Sequence, residues 1–119
     1  MPKMKILVTI VNEEENISYE TTSILQDNVL KYKENNNTMV FYDYEKNSLV
    51  RENAELRMDY SFDVSRKTEG SIEIKELGRK MSIPIETKKL ERKNNDIEIK
   101  YQVEGMEFLY KIEVIEWVF

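Results

Sequence analysis

The chain contains neither histidine nor cysteine. The commonest general base and the commonest metal ligand are therefore absent together, and no thiolate can act as a nucleophile. Polar chemistry is left to tyrosine, arginine and carboxylates. Glu34 follows Leu30 and Tyr32 at a spacing of two, and Arg51 follows Leu49 in the same way. In an extended chain, residues two apart share a face. If Leu30, Tyr32 and Leu49 face a core, Glu34 and Arg51 turn inward with them. Two such groups pair, or grip the polar head of a ligand; at strand ends they instead reach water. Tyrosines add to the pattern, in Phe41-Tyr42-Asp43-Tyr44 and at Tyr60, Tyr101 and Tyr110. A ring with a polar tip suits a pocket wall, and it equally suits ordinary cross-strand packing. The residues expected to line a ligand cavity are Tyr32, Glu34, Tyr42, Arg51, Tyr60, Tyr101 and Tyr110.

Other chemistry finds little support. The serines lie in no G-x-S-x-G elbow and have no base beside them. The only glycines are Gly70, Gly78 and Gly105, too dispersed for a phosphate-binding loop. Glu13-Glu14-Glu15 lacks the ligand alternation and the glycine of a calcium loop, and reads as a solvated turn. With 23 acidic residues, carboxylate pairs arise by chance and carry no signal. We expect no catalytic residue, no metal and no cofactor, and therefore no enzyme. The net charge of −5 repels phosphate backbones and anionic lipid, so neither nucleic acid nor a membrane is an expected partner.

The elements that must position these residues have a period of two. Leu56, Met58, Tyr60 and Phe62 alternate with Glu55, Arg57, Asp59 and Ser61. One face is apolar and the other polar, as in an antiparallel strand buried on one side. The pattern recurs at Met4 to Ile10, Ile72 to Ile74, Met81 to Ile85, Ile97 to Val103 and Met106 to Val114. Asn, Asp and Gly punctuate the runs and supply the backbone freedom that tight turns require. Ten strands follow, near 3–12, 16–25, 29–34, 38–44, 48–51, 54–62, 69–77, 79–87, 96–103 and 106–118. Pro84 cannot donate to a ladder and belongs at an edge, a bulge or a seam. The stretch from Thr87 to Asn94 is the best candidate for a short helix but carries only Leu90 as an anchor, and it is expected to be a loop, or one turn at most. Near the C-terminus, Ile115, Trp117 and Phe119 fall on the phase opposite to Phe108 to Val114. Either a bulge shifts the register or these side chains form an apolar outer patch, which would serve as an interface.

From Asn28 onward the chain resembles the YwiB-like proteins, a small bacterial family of unknown function. The resemblance rests on Val29-Leu30-Lys31-Tyr32-Lys33-Glu34, on Leu49-Val50-Arg51-Glu52-Asn53, on Leu77-Gly78 followed by Met81-Ser82-Ile83-Pro84-Ile85-Glu86-Thr87, and on Ile97-Glu98-Ile99-Lys100-Tyr101. Asn53 stands where the family has glycine, and Asn is the next best residue for a positive φ. The resemblance implies a calycin-like, lipocalin-like β-barrel and transfers no activity.

The expectation is thus one all-β domain spanning residues 1–119, a single antiparallel up-and-down barrel of eight to ten strands. Two non-enzymatic functions fit it. One is binding of a small apolar or amphipathic molecule inside the barrel. The other is a filled module that meets a protein partner, or its own copy in a homodimer, through the C-terminal tail. The apolar run Ile6 to Val11 reads as a first strand rather than a signal peptide, so the expected location is the cytoplasm.

Overall fold

A computed structural model describes residues 2–118. Ten strands run in order: β1 (Lys3–Val11), β2 (Asn16–Gln26), β3 (Val29–Lys33), β4 (Met39–Asp43), β5 (Ser48–Glu52), β6 (Leu56–Ser61), β7 (Thr68–Ile74), β8 (Arg79–Lys93), β9 (Asp96–Val103) and β10 (Met106–Val118). Each pairs antiparallel with its sequence neighbours, and β1 pairs with β10 to close the barrel. The fold is all-β with up-and-down connections. Closure leaves the first and last strands no free edge along their paired length.

The turns explain themselves residue by residue. Asp27 and Asn28 both take positive φ, of 52° and 64°, as a two-residue hairpin with a primed turn requires. Asn37, Asn47 and Asn94 also adopt positive φ. Asn53 does not. Its Oδ1 instead accepts the backbone N–H groups of Glu55 and Leu56, both at 2.9 Å, and its Nδ2 donates to Thr38 Oγ1 at 3.2 Å. Here asparagine acts through its side chain rather than through backbone freedom.

Two bulges break the alternation. Lys5 lies opposite Glu116 and Ile6 opposite Val114, so Ile115 is an extra residue in β10. Trp117 thereby comes opposite Met4, on the inward phase, where it lines the lower rim with Val114 and the β8–β9 turn. Thr87 lies opposite Tyr101 and Lys89 opposite Lys100, so Lys88 is extra in β8. The expected loop from Thr87 to Asn94 is therefore strand up to Lys93. The polar run hid it because the bulge moves the inward phase from odd to even residues, to Leu90 and Arg92. Upstream of the bulge, β9 first meets β8 at Ile85. From Arg79 to Pro84, β8 pairs only with β7, and this local edge is where Pro84 is tolerated.

The turns after β1, β3, β5, β7 and β9 gather at the upper end, and those after the even strands at the lower end. The middle is filled by buried side chains, among them Ile6, Val8, Leu30, Val40, Leu49, Ile85, Ile99 and Ile112. The lower end is plugged. Tyr44 donates to the carbonyl of Asn95 at 2.7 Å, and the Arg92 guanidinium lies 4.4 Å from the centre of the Tyr44 ring. Tyr42 packs edge-on against Tyr44 and donates to Asn47 Oδ1 at 3.2 Å.

The upper end is open. Ile17, Leu56 and Met81 share the phase of the core yet are exposed, and Met58, Ile72 and Ile74 are only half-buried. Met81 was expected in the core. It stands instead on the part of β8 that has no β9 partner.

Candidate ligand site at the open end of the barrel

Beneath the open end lies a cavity of about 210 Å³. Its walls come from β1 and β2 through Ile10 and Ile17, from β5 and β6 through Leu49, Arg51, Met58 and Tyr60, and from β9 and β10 through Tyr101, Phe108 and Tyr110. Asn12 and Glu15 of the β1–β2 turn form part of the lip. Asn12 holds that turn by accepting the N–H groups of Glu14 and Glu15 at 2.8 and 2.9 Å.

The aromatic wall is continuous. The rings of Tyr101 and Phe108 stack at 5.2 Å and 13°, and Tyr60 meets Tyr101 edge-on at 6.1 Å and 82°. Gly70 makes room for this arrangement. A Cβ there would come within 2.8 Å of the Tyr60 ring and 2.7 Å of Ile85 Cδ1.

A polar network lies beside the cavity. Arg51 donates to Glu34 Oε1 through Nη2, and through Nε at 3.2 Å. The other carboxylate oxygen of Glu34 accepts from the Tyr19 hydroxyl. The Tyr32 and Tyr110 hydroxyls share a further hydrogen bond. The Glu34 side chain is only 10% exposed, whereas that of Arg51 is 36% exposed and opens on the cavity. Burial works against the Arg51 charge, but Glu34 more than offsets it, and the guanidinium is held above its ordinary range. Burial raises the Tyr19 hydroxyl, aided by the hydrogen bond to Glu34 and its charge. Tyr32 and Tyr110 are raised well above the ordinary tyrosine range, chiefly by burial. These hydroxyls therefore stay protonated and remain able to donate.

Two hydroxyls are unspent. Among the described residues, neither Tyr60 nor Tyr101 has a hydrogen-bond partner for its hydroxyl, and neither oxygen is sealed from the cavity. Nη1 of Arg51 likewise meets no acceptor among them.

The sequence-predicted residues thus divide. Arg51, Tyr60, Tyr101 and Tyr110 line the cavity, and Tyr32 and Glu34 sit directly behind it as the partners of Tyr110 and Arg51. Tyr42 does not join them. It is fully buried in the plug at the opposite end, because β4 runs downward and carries it away from the mouth. Tyr19 was missed. Its neighbours on the inward phase of β2 include Thr21 and Ser23, so that strand shows no apolar alternation to reveal it. Ser23 is accommodated inside because its hydroxyl donates to the Met4 carbonyl at 3.0 Å. In the C-terminal group, Ile115 and Trp117 are each 45% exposed, and Phe119 lies outside the described residues.

The barrel is similar to the crystal structure of YwiB protein from Bacillus subtilis. The TM-score is 0.56, covering 97% of this chain and 92% of that chain. Sequence identity is 12%, so the likeness is one of fold, and at that level it agrees with the resemblance read from the sequence. No protein-family model matches the chain, and no curated protein does.

Proposed function

We propose that this protein is a non-enzymatic binding module that takes one small amphipathic molecule through the upper end of the barrel. The observation that carries the reading is the cavity itself, lined by the aromatic wall of Tyr60, Tyr101 and Phe108 and offered unspent donors by the hydroxyls of Tyr60 and Tyr101 and by Arg51. Its volume of about 210 Å³ exceeds the roughly 150 Å³ of a protein cavity that accepts benzene, and lies below that of drug-sized pockets. The exposed apolar lip of Ile17, Leu56 and Met81 gives an incoming apolar group a surface to slide along.

Native mass spectrometry of the purified protein tests this. The expected result is a small mass excess that disappears on denaturation. The bare chain mass under both conditions, together with no rise in melting temperature across a library of small amphipathic compounds, refutes the reading.

One observation favours a second reading. Ile115, Trp117 and Val118 leave apolar surface exposed at the lower end of β10, as an interface would. Light scattering that gives a dimer mass, lost on Ile115→Lys, supports it. A monomer at high concentration removes the homodimer form of it.

A further inference from the structure

The charge inventory of the cavity narrows the class of ligand, on the reading that the site binds one. A lone guanidinium in a pocket invites an anion. Arg51 is not alone: Glu34 already matches its charge with two hydrogen bonds and is itself almost fully enclosed. The lip adds Glu15, a second negative charge. Glu104 acts on Tyr60 with the same sign. An anionic group placed against Arg51 would share one positive charge with Glu34 while facing these other carboxylates, and it would lose its hydration on entering. A neutral acceptor loses far less and still collects what is on offer, namely the free N–H groups of Arg51 and the hydroxyls of Tyr60 and Tyr101.

The shape follows from the walls. The stacked pair Tyr101 and Phe108, with Tyr60 edge-on to it, presents flat apolar faces rather than a round hole. We infer that the ligand is an uncharged, flat apolar molecule bearing one carbonyl-type acceptor, seated with the acceptor toward Arg51, Tyr60 and Tyr101 and the body against Phe108. Glu34 is then a positioning and charge-matching residue, and it excludes carboxylates from the site.

The matched probes 2-naphthamide and 2-naphthoate share one body and differ in the charge of the head. Titration calorimetry at neutral pH on the wild-type chain is expected to show the amide binding at least tenfold more tightly than the carboxylate. Glu34→Gln keeps a carbonyl acceptor for Arg51 and turns an amide N–H toward the Tyr19 oxygen, which can accept it, but removes the matching charge. In that variant the carboxylate should gain at least tenfold relative to the amide. Naphthoate binding to the wild type as tightly as naphthamide overturns the charge inference while leaving the binding reading standing. Failure of both probes to bind the wild type overturns the inference about the ligand's flat body and neutral head, while the native mass and the compound library decide the binding reading separately. The wild-type comparison does not depend on the variant, so the test survives if Glu34→Gln folds poorly.

Discussion

At the residue scale, the tyrosine pair behind the cavity is the feature with the clearest energetic consequence. The hydroxyls of Tyr32 and Tyr110 satisfy each other inside the barrel. Removing one leaves the other short of a partner, at a cost of about 1–3 kcal/mol. Tyr32→Phe should cost more than Tyr110→Phe, because Tyr32 also lies within reach of Tyr19 whereas Tyr110 is left with nothing. The double variant should cost less than the two singles together, with a coupling of about 1 kcal/mol or more. Urea denaturation of the four chains measures this, and strictly additive costs would show that the pair contributes nothing as a pair. Much of this cluster was legible from spacing. Glu34 and Arg51 each sit two residues beyond a core position, so period-two reasoning puts them on the inner face, but whether they meet there or reach water at the strand ends stays open in the sequence. The division of the tyrosines between the two ends was not legible. Phase says which face a residue occupies, but the height along the barrel depends on register and stagger, which a single sequence does not reveal.

At the scale of elements, runs and turns placed ten strands, and the ends of most agree with the structure to within two residues. What escaped was the pair of bulges, because a bulge appears in sequence only as a change of phase. In β10 that change was visible, since apolar residues continue on both sides of Ile115. In β8 it was masked by lysine and glutamate, and the strand seemed to stop. The bulge in β8 makes a sharp prediction. Lys88 is the unpaired residue, with Thr87 opposite Tyr101 and Lys89 opposite Lys100. Deleting Lys88 therefore leaves both halves of the strand in register, with Thr87 and Leu90 still inward. The deletion should keep the fold and cost less than about 2 kcal/mol. Deleting Lys100 from the unbulged β9 is a different matter. It moves Tyr101 and Val103 to the outer face or forces a slip against both neighbours, and should abolish cooperative unfolding. Near-ultraviolet circular dichroism and thermal melts distinguish the outcomes. Equal damage from the two deletions would mean that the extra residue at 88 is structurally required.

At the scale of the whole molecule, the absence of histidine and the inward placement of tyrosine set the response to pH. All seven tyrosines of the chain are raised above their ordinary value of 10.0, with burial the leading cause in each. A group whose folded pKa is raised holds its proton more tightly in the native state. Its stabilisation is full below the unfolded value and falls away as pH rises above it. Each tyrosine that titrates only on unfolding removes about 1.4 kcal/mol per pH unit. Several acting together exceed the whole stability of a typical domain within about two units above pH 10. Lys89 and Lys111, raised by hydrogen bonds to Glu98 and Glu113, add to the same alkaline loss. The acid side differs in kind. Glu52 and Glu98 are lowered by hydrogen bonds to Lys75 and Lys89, so their contribution is present above the ordinary carboxylate range and is lost as pH falls through their folded values. These pairs lie on the outer face, where water and salt screen them, so the acid limb is shallow. With no imidazole to titrate between the two limbs, unfolding free energy should form a plateau from about pH 5 to about pH 10, with a gentle fall below and a steep collapse above. Guanidinium denaturation at fixed salt across this range tests the profile. A native signal persisting at pH 12.5 would mean that the tyrosine hydroxyls are not enclosed as the barrel places them, and a step between pH 6 and 8 would mean that a group other than tyrosine governs stability there.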